Sequence, residues 1–340
     1  MSDSAAPLIL VTGATGAVGP AVVRAAAAGG YRVRTLSRHP PEPGLFPEGV
    51  DVRIGDVCDP SAIRAALSGT TGVLHLAALL HLLNGAAQRA PDYARINADA
   101  TASLAREAAR AGVQRVVLFS TIAVYGSRGG AVVSEDTAPR PDTEYARTKR
   151  RAEEALLGEV ASDGAPSGVV LRLAAVYGAR VRGNYRTLVD LLERRRFVPV
   201  GPGLNRRTLV YEDDVARAAL IALEHPAAPG RVFNVTDGTT HTVRDVIAAI
   251  CRALGRTPPR LHVPLAPVRA AASIAGPMLT LAGRGRSLDA MIAKYTEDVA
   301  VDGTRIQREL GYRPAIGLDE GWKKAVAGLT STIRRQRDRR

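Results

Sequence analysis

Residues Leu8–Val23 read LILVTGATGAVGPAVV. Five residues of a buried-strand type run directly into glycines at 13, 16 and 19, and an Ala/Val-rich stretch follows. The pattern predicts a strand, a tight turn and a helix. Glycine lets such a turn fold back sharply and lets a ligand approach the backbone, while the helix N-terminus offers amide N–H groups and the positive end of its dipole. That combination suits a pyrophosphate, so the turn from Gly13 to Gly19, with Thr15, Gly16, Ala17 and Val18, is predicted to hold a dinucleotide.

The same rhythm continues outward. Strand-like runs fall at Leu8–Thr12, Arg32–Leu36, Val50–Ile54, Gly72–Leu76, Arg115–Phe119 and Val169–Leu173. Between and after them come helical runs at Val18–Ala28, Ser61–Leu67, Tyr93–Ala111, Tyr145–Leu157 and Tyr185–Arg195. Nearly continuous apolar strands alternating with helices predict an α/β fold with a doubly wound parallel sheet, covered on both faces. After Gly178 the rhythm breaks. Asp213–Leu223 reads as a further helix and Val232–Val235 as a further strand, and helices with proline punctuation dominate from Thr240. The predicted division is 1–178 with 208–238 as the nucleotide-binding domain, and 179–207 with 239–330 as a smaller, mostly helical substrate domain. Residues 331–340 form a basic tail.

Bulk properties narrow the classes. The chain has 340 residues, 46% of them apolar, which is ample for a large core. Its formal charge of +13 suits anionic ligands. Aromatics are only 4%, with no stacking platform or zinc-finger pattern, which argues against nucleic acid. Cys58 and Cys251 match no metal or redox spacing, so no metal is expected. The opening MSDSAAP is polar, and the apolar stretch 263–283 is interrupted by Pro264, Pro267, Arg269 and Pro277. A cytoplasmic protein with no transmembrane segment is expected. Five arginines in the closing RRQRDRR read as a solvated tail or a weak attraction to anionic membrane.

Two strand tips bear on the ligand. The second ends in Ser37 and Arg38, where a carboxylate would bond ribose hydroxyls; an arginine there can pair with a 2′-phosphate. This favours NADP, with NAD possible. The third ends in Asp56 and Val57, set to meet the adenine, although an aspartate there also suits a helix cap. Further on, TEYARTKRRAEEAL (143–156) puts Tyr145 and Lys149 four apart, on one helix face. A tyrosine is a poor base at neutral pH, and a nearby cation favours its phenolate.

Taken in order, TGATGAVG (12–19), GDV (55–57), HLAA (75–78), FSTIAVYG (119–126), YARTK (145–149), LRLAAVYG (171–178), RRTLVYEDDVA (206–216) and FNVTDG (233–238) resemble the extended short-chain dehydrogenase/reductases of the NAD-dependent epimerase/dehydratase family. The resemblance implies a Rossmann-type sheet, a nicotinamide cofactor, a nucleotide-diphosphate sugar as substrate and a homodimer formed through helices such as Tyr93–Ala111 and Tyr145–Leu157. It implies a catalytic set of Thr121, Tyr145 and Lys149, with Lys149 also on the nicotinamide ribose. Leu76, Ala77 and Ala78 would lie along the dinucleotide and Asn97 near its ribose, with Ala174 and Val176 completing the cofactor set.

The substrate side is narrower in some respects than others. Dehydratases of this family follow the threonine with Asp and Glu, whereas Ile122 and Ala123 stand here, which points to 4-epimerisation or 4-keto reduction. The stretches 176–195 and 199–216 resemble 4-reductases of bacterial polysaccharide synthesis, which implies Asn184 and Arg207 on the sugar-nucleotide diphosphate. Arg182, Arg186 and Arg206 add cationic character. Ala175 stands where the family often has asparagine, and the nearest later cation is Lys294. A 3β-hydroxysteroid dehydrogenase-like enzyme shares YxxxK and the ELGYRP ending (309–314); Leu79, Leu82, Leu83 and the 263–283 segment would suit its apolar substrate. A third possibility is a nicotinamide-sensing protein without chemistry, a class that typically loses the tyrosine or lysine retained here.

Overall fold

The computed structural model describes residues 6–80, 89–160, 164, 167–180, 183–268 and 297–337, with side chains described up to Leu329. Leu82, Leu83, Arg182, Lys294 and residues 269–283, all singled out above, lie outside the described residues, as do the side chains of the basic tail.

Strand β1 (Leu8–Thr12) is buried along its whole length and lies inside a seven-stranded parallel sheet. The others are β2 (Arg32–Ser37), β3 (Asp51–Ile54), β4 (Gly72–His75), β5 (Arg115–Thr121), β7 (Gly168–Leu173) and β10 (Val232–Val235), in the spatial order β10-β7-β5-β4-β1-β2-β3. Six residue pairs align β5 with β7, from Val116 against Gly168 to Thr121 against Leu173. The chain winds outward from β1 in both directions. The reversal between β1 and β4 opens a crevice at their carboxyl ends, where open α/β sheets bind ligands.

Helices cover both faces, as continuously apolar strands require. On one face α1 (Gly19–Ala28) and α7 (Glu212–Glu224) supply Val22, Val23, Ala218 and Ala219 to a core shared with Ile9, Val117 and Phe233. On the other, α2 (Pro60–Leu67), α4 (Ala100–Arg110) and α5 (Glu144–Leu157) pack Ile63, Leu104, Ala152 and Leu156 against Leu10, Val73 and Leu118. The predicted helix Tyr93–Ala111 is not uniform. It starts as α3 (Ala90–Tyr93), widens to a π-helical turn over Ala94–Asp99 and then becomes α4. A wide turn of this kind commonly marks a functional site, and here it carries the buried Asn97.

A third core lies beyond β8 (Ala175–Tyr177). It joins α6 (Gly183–Glu193), α8 (Val243–Ala253) and α10 (Leu318–Arg337) through Leu192, Ile247, Ile250, Trp322 and Val326. Trp322 stacks on Tyr177 with ring centroids 4.7 Å apart, a contact worth about 0.5–1.5 kcal/mol beyond area burial. Strand β9 (Arg206–Tyr211), which lies between β8 and β11 (Thr240–Thr242), links this core to the main sheet. Its side chains alternate: Leu209 and Tyr211 enter the third core, and Val210 enters the core of the parallel sheet. A small sheet of β6 (Val132–Val133) and β12 (Ala300–Val301) leads into α9 (Thr304–Leu310). Among the described residues, no helix is long and apolar enough to cross a membrane.

Candidate active site

The glycine turn sits at the crevice. Gly13 has φ of 70°, and a Cβ there would come within 2.6 Å of the Ala77 backbone nitrogen. A Cβ on Gly19 would come within 2.1 Å of the Ala14 carbonyl oxygen. These glycines are therefore required by close backbone packing between the turn, α1 and the segment after β4. Gly16 N–H donates to the Gly13 carbonyl at 3.0 Å and closes the turn. Thr15, Gly16, Ala17 and Val18 are only partly covered. The result is a shallow cradle of backbone at a helix N-terminus, which fits the pyrophosphate of a dinucleotide.

At the rim, Arg38 is exposed directly after the buried Ser37, whose hydroxyl donates to the His39 carbonyl. The Asp56 carboxylate accepts from Cys58 N–H at 2.9 Å, while Asp59 caps α2 through Ser61 N–H at 2.9 Å. The cap belongs to Asp59, so Asp56 is not occupied as one. Val57 is buried against the α2 side of the sheet.

Leu76 to Ala78 run along the crevice, partly covered. Leu76 N–H donates to the Thr12 carbonyl at 3.1 Å, and Ala77 N–H donates to the Thr12 hydroxyl at 3.3 Å. Thr12 Oγ1 lies 2.7 Å from His75 Nδ1, His75 Nε2 lies 3.0 Å from Thr101 Oγ1, and the Thr101 hydroxyl donates to the Asn97 carbonyl at 2.7 Å. Because Thr101 donates onward, it accepts from His75, which assigns the ring proton to Nε2. Burial and the Lys149 cation push the His75 pKa down to about 3. His75 stands in the HLAA motif, but no sequence signal distinguished its role. Asn97 Oδ1 accepts from Leu79 N–H at 2.7 Å, and its Nδ2 donates to the Leu79 carbonyl at 3.1 Å. Its amide therefore fixes the loop after β4 from behind.

Tyr145 and Lys149 lie on α5, whose start is capped by Thr143 accepting from Ala146 N–H at 3.2 Å. Thr121 ends β5 and caps a short 3₁₀ turn (Ile122–Tyr125), accepting from Ala123 N–H at 3.1 Å. It also hydrogen-bonds the Tyr145 phenol, so the two side chains meet. Tyr93 packs edge-on to Tyr145 at 6.3 Å. Burial pushes the Tyr145 pKa up to about 12, and the Thr121 hydrogen bond offsets only part of this. Burial pulls Lys149 down to about 8, opposed by the Glu153 carboxylate. The helix spacing brought the lysine and tyrosine to one face, but desolvation outweighs any pull of Lys149 toward the phenolate. Ala174 is buried and Val176 partly so, at the crossing from β7 into β8.

The substrate-side arginines are more engaged than their sequence suggests. Arg186 is paired with Asp190 at 3.0 Å and Arg206 with Asp298 at 3.4 Å. The Arg207 guanidinium donates to the carbonyls of Arg206 and Glu297. Asn184 is exposed in the first turn of α6. Arg186 and Arg206 thus carry local counter-charges, and Arg207 bonds backbone oxygens.

A nucleotide crevice at the switch point of a parallel sheet, with a Thr–Tyr contact and a buried lysine beside it, defines an enzyme of the extended short-chain dehydrogenase/reductase type. Residues 9–236 match the model of the NAD dependent epimerase/dehydratase family, and the chain belongs to that family. It is 27% identical to the UDP-glucose 4-epimerase of Vibrio cholerae over 94% of each chain. It is 29% identical to the dTDP-glucose 4,6-dehydratase of Streptomyces griseus, over 80% of this chain and 75% of that one. The solved structure of MoeE5 in complex with UDP-glucose and NAD superposes with a TM-score of 0.75 at 27% identity, covering 96% of this chain and 99% of that one.

Proposed function

We propose that this enzyme acts on a nucleotide-diphosphate sugar, by reduction of a 4-ketone with NADP(H) or by 4-epimerisation with a retained NAD, the first being favoured. The observation that carries the reading is the Thr121–Tyr145 contact beside buried Lys149, at the same sheet edge as the glycine turn. Gly13, Gly16 and Gly19 would hold the pyrophosphate, Arg38 the 2′-phosphate, and Lys149 the nicotinamide ribose. Asp56 and Val57 would meet the adenine. Thr15, Ala17, Val18, Leu76, Ala77 and Ala78 would line the dinucleotide, with Ala174 and Val176 at its far end. Asn97 would act through Leu79. A bound nicotinamide supplies hydride transfer at its ring C4.

The protein's own part is proton handling and orientation. With its pKa near 12, Tyr145 is neutral at pH 7 and holds a proton at Oη. A neutral phenol is a donor, which suits delivery of a proton to the oxygen of a reduced ketone. Thr121 would orient that oxygen and stabilise charge developing on it. Ile122 and Ala123 offer no acid for elimination, which disfavours dehydration. Asn184 and Arg207 would hold the diphosphate. The two-body division given above, a cytoplasmic setting and a homodimer through the helices flanking Asn97 and Tyr145 belong to the same proposal.

A second reading rests on a separate observation. Val198, Leu204 and Val263 are exposed on the substrate side, while Arg186 and Arg206 are paired with carboxylates. An apolar alcohol or ketone, as in the 3β-hydroxysteroid dehydrogenase-like branch, would use such a surface. The test is to supply the protein with NADPH and UDP- or dTDP-linked 4-keto sugars, and follow cofactor absorbance and sugar configuration. Stoichiometric NADPH consumption is expected, and Arg207→Ala should weaken nucleotide-sugar binding about tenfold with NADPH binding unchanged. Tightly retained NAD with 4-epimer formed and no NADPH consumed would replace reduction by epimerisation. Inertness toward all sugar nucleotides, with turnover of an apolar ketone, would select the second reading.

A further inference from the structure

Behind the candidate site lies a charged cluster that none of the proposed roles uses. Glu153 and Arg172 are fully buried, with Arg172 Nη2 and Nε donating to Glu153 Oε2 and Oε1 at 2.7 and 3.0 Å. Ser120 Oγ donates to Glu153 Oε1 at 2.5 Å, and the part-exposed Arg150 donates through Nη1 to Glu153 Oε2 at 3.3 Å. The Arg172 guanidinium lies 4.8 Å over the Tyr125 ring, and Tyr125 OH donates to Asn234 Oδ1 at 2.8 Å. The cluster therefore ties α5, β5, β7, the 3₁₀ turn and β10 together. Ser120 and Arg172 are directly opposed in the β5–β7 register, and Ser120 precedes Thr121.

A buried ion pair is weak evidence of stabilisation, because desolvating two charges cancels most of their attraction. Its position is more informative. Glu153 is one helical turn after Lys149 on α5, and Lys149 is only 1% exposed. We infer that Glu153, held by Arg172 and Ser120, is a positioning residue that keeps Lys149 charged in a buried site and fixes its helix against the strand carrying Thr121. The inference deepens the proposed assignment of Lys149 and rests on it for its functional meaning.

The surroundings of Lys149 leave this role to Glu153. On α5 it shares its face with Tyr145, and His75 of β4, neutral at ordinary pH, lies within reach of its charge. Tyr93 of α3 packs on Tyr145, and Tyr125 of the 3₁₀ turn lies under the Arg172 guanidinium. Asp99 of the π turn pairs with Arg151, and Glu107 of α4 pairs with Arg110 and Arg64. Arg172, the cation on β7, is bound to Glu153 itself. Of these carboxylates, only Glu153 supports the Lys149 cation against burial.

The chain has four lysines, Lys149, Lys294, Lys323 and Lys324, so side-chain ¹³C-lysine NMR can follow each through a pH titration. The Lys149 signal is assigned by its loss in Lys149→Met. In the cofactor-free native protein its midpoint should lie at about 8. Glu153→Gln should lower that midpoint by about one pH unit or more, the usual effect of removing an adjacent opposite charge. If that variant is too unstable to titrate, Glu153→Gln with Arg172→Met removes the buried stranded cation, leaves Arg150 on Glu154, and should also lower the midpoint. A native midpoint in a folded variant of either kind overturns the inference, because a purely structural pair would change the melting temperature but not this titration. The measurement needs no substrate. Failure to turn over sugar nucleotides leaves it standing, and an unchanged midpoint leaves the substrate assignment standing.

Discussion

The proposed cofactor side and the proposed substrate side of the crevice are built from different materials. The first is backbone: three glycines within seven residues pack so tightly that Cβ atoms at Gly13 and Gly19 would collide with neighbouring main chain. The second is side chains gathered across long stretches of chain, as in Arg206 with Asp298 and Arg207 on the Glu297 carbonyl. The first presents its amide groups without needing charge. The second offers arginines whose charge is already shared with other groups. Affinity for an anion should therefore depend on backbone shape on one side and on exchange of partners on the other.

The largest expected effect lies where the two sides meet. Tyr145→Phe removes the phenol but keeps the ring packed against Tyr93, so turnover should fall by about 10²–10⁴-fold with cofactor affinity unchanged. Retained turnover would show that the proton comes from elsewhere. Next, Gly13→Ala puts a methyl group 2.6 Å from the Ala77 nitrogen in a left-handed conformation. About 1–3 kcal/mol of strain is expected, seen as a lower melting temperature and weaker dinucleotide binding in calorimetry. If binding fell equally in Arg207→Ala, the contrast between the two sides would fail.

A third effect concerns stability against pH rather than binding or turnover. Burial and the Lys149 cation hold the folded His75 pKa down at about 3, against an ordinary value of 6.5. Below pH 6.5 the unfolded chain takes up a proton that the folded one refuses. The contribution of neutral His75 is therefore fully present above that pH and is lost as pH falls toward 3. The maximal slope for one proton is about 1.4 kcal/mol per pH unit. Denaturant titrations between pH 4 and pH 7 should show it, and His75→Gln should flatten that part of the profile. An equally steep profile in the variant would assign the acid sensitivity to other groups.

The glycine spacing, the apolar strands and the Tyr–x–x–x–Lys spacing were legible in the sequence because each is short-range. Strand and turn patterns depend on neighbours one to four residues away, and helix spacing alone puts Tyr145 and Lys149 on one face. Less legible was the place of Asn97, which the π-helical turn carries to two hydrogen bonds with Leu79, 18 residues earlier. Nor did spacing single out His75, whose partners Thr12 and Thr101 come from two other elements.

By itself, then, the chain determined a parallel sheet, its glycine turn and the spacing that puts Tyr145 and Lys149 on one helix face. Tertiary structure decided their state. Burial keeps Tyr145 protonated and weakens the Lys149 cation, Glu153 opposes that loss, and Asp190 and Asp298 balance arginines that read as a free cationic cluster. The physical reason is that charge and protonation depend on desolvation and on partners brought close only by folding, neither of which is carried by local spacing.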